Sequence, residues 1–533
     1  MPNPILALLL AFSVQGAPIP SDTLTRFPLL NGPGEDRVRL AQLRGEVPAR
    51  GFLIRSASSL MAPLRPAPPT DLELRWVAPE LRVLRNSALP HSFNEGPLWA
   101  GRGLSGRLTA GLYARYHGLT LILAPQWVGS QNKPFQTASY PDIAAGRTRD
   151  PLASAFHYPP QSMDLPQRFG RSARGSLDPG QSSLTFRWDR LALGFATENQ
   201  WWGPGLRNAL ILGAQAPGFP YLFVETGKPI ATPLGDLRAR WILGRLSESE
   251  YFDLDPSNDH RSLSGLVLEL APWFDEGLSL GLARTVIAPS GSLPLGATLD
   301  VFRNVGRPPQ EPGDTLLAPG PDQLFSVFAR WVFPDAGFEV YGEWGRAEQP
   351  ASLRDFLQLP QHSRGYTVGL QYVRPIGGEG RMVRLQSEVT SLEPSQSFRV
   401  REVGEWYASR RVPQGYTHRG RVLGAAIGPS ASSQWVALDH VTSDWSVGTF
   451  VGRIRWEAEA HQSYFPEFRR ADISVLPGVR GSAPLGRVRI DASYTYGLRL
   501  NYLFQAWPIT STQYRGVDIV NHTLAVTLSM GQP

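Results

Sequence analysis

From Asp71 onward the chain alternates apolar and polar residues with a period of two. Over 487–496 the apolar set is Val488, Ile490, Ala492, Tyr494 and Tyr496, and two Arg, an Asp, a Ser and a Thr lie between them. Residues 453–460 (RIRWEAEA), 338–344 (FEVYGEW) and 383–389 (VRLQSEV) repeat the pattern, and Tyr366, Val368, Leu370 and Tyr372 alternate with Thr367, Gly369 and Gln371. A period of two means strands with one apolar and one polar face. A soluble sandwich turns its apolar face inward, whereas a membrane barrel turns it to lipid and lines its lumen with the polar face.

Three features favour the barrel. The segments run about 10 residues, the span of a tilted transmembrane strand. Aromatic residues recur near segment ends, as in an interfacial girdle: Trp188, Trp331, Trp344, Trp435, Trp445, Trp456, Tyr372, Tyr496 and Tyr502. Short connections (117–118, 189–190, 274–277, 334–337, 375–380) alternate with long ones (129–181, 248–261, 288–322, 347–363, 393–417). Short periplasmic turns and long outer loops are the barrel habit. Roughly 20 candidate strands lie between a first at 72–85, weakened by Pro79, and a last at 523–530; the expectation is an all-β transmembrane antiparallel barrel of about 18 strands (roughly 16 to 20) over residues 71–533.

The start of the chain differs. Ile5 to Val14 is an apolar run followed by small residues suited to cleavage after Gly16 or Ala17, which reads as a signal peptide over 1–17, although no Lys or Arg precedes it. The expected location is the outer membrane of a Gram-negative-type bacterium. Residues 18–70 read as a small helical periplasmic or plug element: a helix at 34–44 with Glu35 and Asp36 in its first turn, a second at 52–64, and a linker at 63–69.

Composition narrows the chemistry. Charged residues make up 18% of the 533, low for a soluble protein, where about 25% is usual. Of the 52 basic residues only Lys133 and Lys228 are lysines; Arg is the better bidentate partner for carboxylate and phosphate. The net charge of +6 suits an acidic partner, but no Lys/Arg run marks a nucleic-acid surface. The absence of Cys excludes disulfides, thiol catalysis and a lipoprotein anchor. The nine His form no HExxH or i,i+4 pair, no G-x-S-x-G elbow occurs, and no metal site or cofactor is expected. Residues 253–259 (DLDPSND) cluster oxygen ligands of the kind calcium takes, but lack the Gly of an EF-hand loop and read as a solvated acidic loop. Glu339, Glu343, Glu457 and Glu459 read as lumen-facing charges that pair with Arg.

The densest local signal is 199–220, NQWWGPGLRNALILGAQAPGFP. Gly203-Pro204-Gly205 makes the segment a poor helix and an equally poor strand. The segment is therefore a loop, on the outer side by the parity of the connections. Trp201 and Trp202 either pack against the barrel rim or stack on sugar rings, with Gln200, Arg207 and Asn208 bonding hydroxyls or carboxylates.

Residues 198–220 resemble the signature of the Wzi family of outer-membrane capsule-assembly proteins. The resemblance rests on Trp201-Trp202-Gly203-Pro204 with Gly205, on Leu210-Ile211-Leu212, and on Gln215-Ala216-Pro217-Gly218-Phe219-Pro220. A block at 94–103, ending Trp99-Ala100-Gly101-Arg102-Gly103, is similar to another family segment. Gln215 stands where the family has Asn, and the chain ends without a terminal aromatic. The resemblance implies an 18-stranded barrel with an N-terminal helical element, acting as a surface lectin that tethers capsular polysaccharide. The partners expected are an acidic surface polysaccharide and outer-membrane lipid, around a monomer with no enzymatic role. A diffusion channel for anionic saccharides and a barrel hydrolase using Glu343 or Glu457 are the alternatives.

Overall fold

The computed structural model describes residues 24–25, 30, 32–61, 72–138, 150, 152–157, 162–252, 255–289, 295–302, 320–348, 350, 352–378, 380–399, 404–510 and 513–530. The expected signal peptide and linker lie outside them.

Eighteen antiparallel strands form a closed barrel, from Glu73–Asn86 to Ile519–Met530. Closure is made by the last strand pairing with the first, from Thr523↔Asn86 to Ser529↔Glu80, so no strand edge is left open. Three strands are interrupted, between Leu123 and Gln126, between Asp178 and Ser183, and between Thr226 and Ile230. Each gap holds a proline (Pro125, Pro179, Pro229), which has no N–H for the ladder. Pro79 acts the same way in the first strand, where the register shifts between Val77 and Glu80.

The alternation has the physical meaning expected of it. In Phe338–Arg346, Glu339, Tyr341 and Glu343 are buried toward the lumen while Val340 is exposed outside. In Arg364–Pro375, Thr367 and Gln371 face in and Val368 and Tyr372 face out. No described helix is long and apolar enough to cross a membrane; the strands supply the apolar belt, with Trp76, Trp127, Phe186, Phe195, Leu438 and Leu524 exposed on it. The girdle expectation holds for Trp188, Trp331, Trp445, Tyr372 and Tyr496, which are exposed outside. It fails for Trp435, which is buried facing the lumen, and for Trp456 and Tyr502, which sit in loops. Short turns such as 117–118, 189–190 and 486–487 lie at one end, and nine longer connections at the other, among them 87–102, 131–173, 197–220, 392–431 and 456–472.

The 453–460 segment does not continue as a strand. The ladder ends at Arg455, and Ala458–Tyr464 forms a helix. Glu457 and Glu459 therefore belong to an outer loop, not to the lumen wall.

The N-terminal segment enters the lumen. Its helix, Pro33–Leu43, matches the expected one and lies along the inner wall. Arg39 pairs with Glu339 at 2.6 Å, Arg330 pairs with the same carboxylate at 2.5 Å and also donates to Gln42, and Asp36 meets Arg384 at 2.9 Å. Leu43 packs against Val332, Val373, Met382 and Val441. The expected second helix over 52–64 is reduced to Ala57–Met61, because Ile54–Ser56 instead pairs as a strand with Gln200–Trp202. Backbone pairing across the lumen outweighs the weak local helical preference.

Candidate functional site

The Trp-Trp loop belongs to the long-connection end, as its parity requires, but it folds down into the barrel and meets the N-terminal segment there. The N–H of Gly203 donates to the Leu53 carbonyl at 2.9 Å, and Arg55 donates to the carbonyls of Gly203 and Gly205 at 2.8 and 3.0 Å. Gly203 has φ +106°, and a Cβ there would lie 2.9 Å from the Glu343 carboxylate. At Gly205 a Cβ would fall 2.0 Å from the Asn208 carbonyl oxygen. Both positions therefore need glycine, one for its backbone conformation and the other for space. Two carboxylates of the wall fix the next turn. Glu388 accepts from the backbone N–H groups of Leu206, Arg207 and Asn208 at 2.5 to 3.1 Å, and Glu343 accepts from Leu210 at 3.1 Å. Tyr407, from the 392–431 loop, closes the far side by donating to the Leu210 carbonyl at 2.9 Å.

Both tryptophans are buried, 1% and 0% exposed. Trp201 packs with Leu30, Phe52 and Leu60 of the N-terminal segment, and Arg55 stacks over its ring at 5.3 Å. Burial lowers the Arg55 guanidinium to about 10, with Glu35 pulling the other way. Trp202 lies against the wall, where a Cβ on Gly265 would come within 2.8 Å of its ring. Gln200 is buried too, donating to the Tyr221 hydroxyl at 2.6 Å. Asn208 is buried, with its side chain directed at Glu388 and Thr390. Of the five residues expected to contact sugar, these four are buried in this conformation, and Asn208 borders the luminal cavity.

Arg207 is the exception. Its backbone is tied down, by Glu388 at its N–H and by Asn94 at its carbonyl (2.9 Å), while its guanidinium lies over Trp435 at 4.8 Å and Phe93 at 5.7 Å. Arg480 stacks on the same Trp435 at 5.3 Å. Among the described residues no carboxylate forms an ion pair with Arg207, whereas Arg480 is paired with Asp439 at 2.6 Å. Burial lowers the Arg207 guanidinium to about 10, with Glu388 opposing and Arg480 reinforcing the shift, so it stays charged at neutral pH. The Trp435 indole N–H is buried, with no partner among the described residues.

These groups line a luminal cavity of about 380 Å³ between the plug and the wall strands from Met382–Ser391 round to Glu73–Asn86. A second cavity of about 250 Å³ adjoins it nearer the long loops, sharing His91, Phe93, Leu476, Thr495 and Thr523. There Arg499 stacks on Trp456 at 5.2 Å and is held by Asp472 at 2.7 Å. Burial, aided by Arg207 and Arg499, lowers His91 to about 4, so it lines this space as a neutral ring. Trp435 and Trp456 are the aromatic residues that sequence reasoning assigned to the outer girdle; a tryptophan at a strand end carries no local mark of which face it takes.

The 94–103 block meets the Trp-Trp loop in space. Asn94 N–H donates to the Gln215 side chain at 2.7 Å, and Gly96 N–H donates to the Ala214 carbonyl at 2.8 Å. Gln215 thus makes a specific bond at the position where the family signature carries Asn. Glu95 is gripped by Arg82 at 2.6 Å, and Arg421 donates to the carbonyl of Gly96. Burial raises the Glu95 carboxyl, but Arg82, Arg107 and Arg421 outweigh it and hold it below its ordinary value of 4.5. Trp99 donates to Asn132 at 3.1 Å; a Cβ on Gly101 would meet the Trp99 ring nitrogen at 2.7 Å, and Gly103 has φ +99°. Arg102 donates to the carbonyls of Ser87 and Pro134.

The alternative chemistries find little support here. Glu343 is buried and carries a backbone N–H, and Glu457 lies in an outer loop beside His157. In the acidic loop, Asp253 lies outside the described residues, and Asp255 accepts from Ser257 at 2.6 Å.

The family model for capsule assembly protein Wzi matches residues 137–444. Among solved structures, the chain is similar to Wzi of Escherichia coli, described as an outer membrane protein involved in group 1 capsule assembly and a carbohydrate-binding β-barrel. That likeness has a TM-score of 0.60 at 13% identity and covers 95% of this chain and 99% of that one. Weaker likenesses are to OccAB3 of Acinetobacter baumannii (TM-score 0.41, 8% identity, 87% and 100% covered) and OccK2 of Pseudomonas aeruginosa (0.37, 12%, 87% and 99%). Among curated proteins none matches the chain in sequence.

Proposed function

The chain belongs to the Wzi family of capsule assembly proteins, and from that premise we propose that it is a non-enzymatic outer-membrane barrel that binds an acidic capsular polysaccharide and holds it at the cell surface. The observation that carries the reading is Arg207: a guanidinium stacked on Trp435 and Phe93, without an ion pair among the described residues, facing a luminal cavity. A carboxylate-bearing sugar supplies what that site lacks, a bidentate anion for the arginine. Trp456 and Arg499 extend the same chemistry toward the outer loops. A helix locked to the inner wall by the ion pairs of Arg39, Arg330 and Asp36 supports a holder over a pore.

Deleting the gene in an encapsulated host should release polysaccharide into the medium while total synthesis continues. Full retention by the deletion strain would overturn the proposal. One observation favours a channel as the second reading: the two cavities adjoin along one wall and leave a seam beside the plug. Steady single-channel currents in planar bilayers would favour that reading, and electrically silent insertion would remove it.

A further inference from the structure

Three long loops at the outer end each send one ligating side chain to a common point. His157 comes from 131–173, Glu405 from 392–431 and Glu457 from 456–472. Their ligand atoms lie within 4.8 Å of one another. His157 Nε2 is 3.1 Å from a Glu457 oxygen and 3.5 Å from Glu405 Oε1. The other ring nitrogen, Nδ1, is 2.7 Å from the Ser154 hydroxyl, which fixes the imidazole so that Nε2 points at the carboxylates. Such an outer hydrogen bond is a regular companion of a metal-ligating histidine. The His157 and Glu405 side chains are 1% and 8% exposed, and that of Glu457, at 20%, leaves an approach from solvent.

Arg499, which faces Glu457, is committed to Asp472 at 2.7 and 2.9 Å.

We propose that His157, Glu405 and Glu457 form a binding site for one first-row divalent cation, zinc being the best fit, that ties the three outer loops together. One imidazole nitrogen and two carboxylate oxygens suit zinc or manganese over the all-oxygen preference of calcium and magnesium. Three protein ligands leave at least one position open, to water or to an oxygen of a bound glycan. Sequence inspection could not find this site, since its spacing criteria detect only ligands close together in the chain.

The test is isothermal titration of the full-length protein in detergent, stripped with chelator, against zinc chloride. The expected result is one ion per chain and an affinity loss of about tenfold or more in Glu405→Gln and in Glu457→Gln. No binding, or binding that both variants leave unchanged, would overturn the proposal. X-ray absorption on the zinc-loaded wild type needs no variant to fold. One imidazole nitrogen among oxygens is expected, and two or more imidazoles would refute this assignment.

Discussion

On one flank of the lumen, Glu339 holds Arg39 and Arg330 at 2.6 and 2.5 Å, while Glu343 and Glu388 are filled by backbone N–H groups of the Trp-Trp loop. On the adjoining stretch of wall, where Trp435 is the cross-strand partner of Glu388, Arg480, Asp439, Trp435 and Arg207 face a cavity. Both walls come from the same alternating pattern with the same mixture of Arg, Glu and Gln. Their difference lies in what the long connections bring to them. The packed flank commits its charges to holding the plug; on the open flank Arg207 forms no ion pair among the described residues.

The contrast can be broken most forcefully on the packed side. Glu339→Ala leaves Arg39 and Arg330 buried without their common carboxylate, and removing one partner of a buried pair costs about 3–5 kcal/mol. The thermal unfolding midpoint of the purified barrel should fall sharply, and an unchanged midpoint would show that the plug is not held there. Trp202→Ala should cost a similar amount, about 3–5 kcal/mol, through the cavity left against Gly265.

Acid should act on the junction between the two signature segments. Glu95 has a folded-state value below 4.5, so its stabilisation is present above pH 4.5 and is lost as pH falls through the lower, folded value. Limited proteolysis should then show exposure of the 87–102 loop in strongly acidic buffer, and Glu95→Gln should show that exposure already at neutral pH. If the wild-type digestion pattern stays constant into strong acid, the grip of Arg82 on Glu95 is not what seats this loop.

Smaller effects sharpen the open side. Attraction between Arg207 and an acidic glycan is screened by salt, so binding should weaken several-fold between about 0.05 and 0.5 M sodium chloride. Insensitivity to salt would point to recognition by hydroxyls alone. Trp201→Phe keeps the ring against Phe52 and should lower stability modestly, with glycan affinity unchanged.

Much of the frame is legible in the chain. The period of two, the alternation of short and long connections and the acidic first turn after Pro33 locate the strands, the two ends and the helix Pro33–Leu43. Even the irregularities have sequence causes, in Pro79, Pro125, Pro179 and Pro229. The site is less legible, because it is assembled by long-range contacts. Nothing near Trp201 and Trp202 announces that Leu53 and Arg55 will cover them, nor does Trp435 differ locally from a girdle residue. His157, Glu405 and Glu457 lie 300 residues apart at the extremes and show no spacing at all. The signature loop is conspicuous in sequence because it is a packing hub, and it reaches the cavity only through Leu206, Arg207 and Asn208.

The central claim is therefore tested most directly by the affinity of the purified protein for the host's acidic capsular polysaccharide, measured in parallel for wild type, Arg207→Ala and Trp201→Phe. The expected pattern is a loss of about tenfold or more, or about 1.4 kcal/mol, in Arg207→Ala, with Trp201→Phe matching wild type. Unchanged affinity in Arg207→Ala together with loss in Trp201→Phe would contradict the account and return sugar binding to the tryptophan pair.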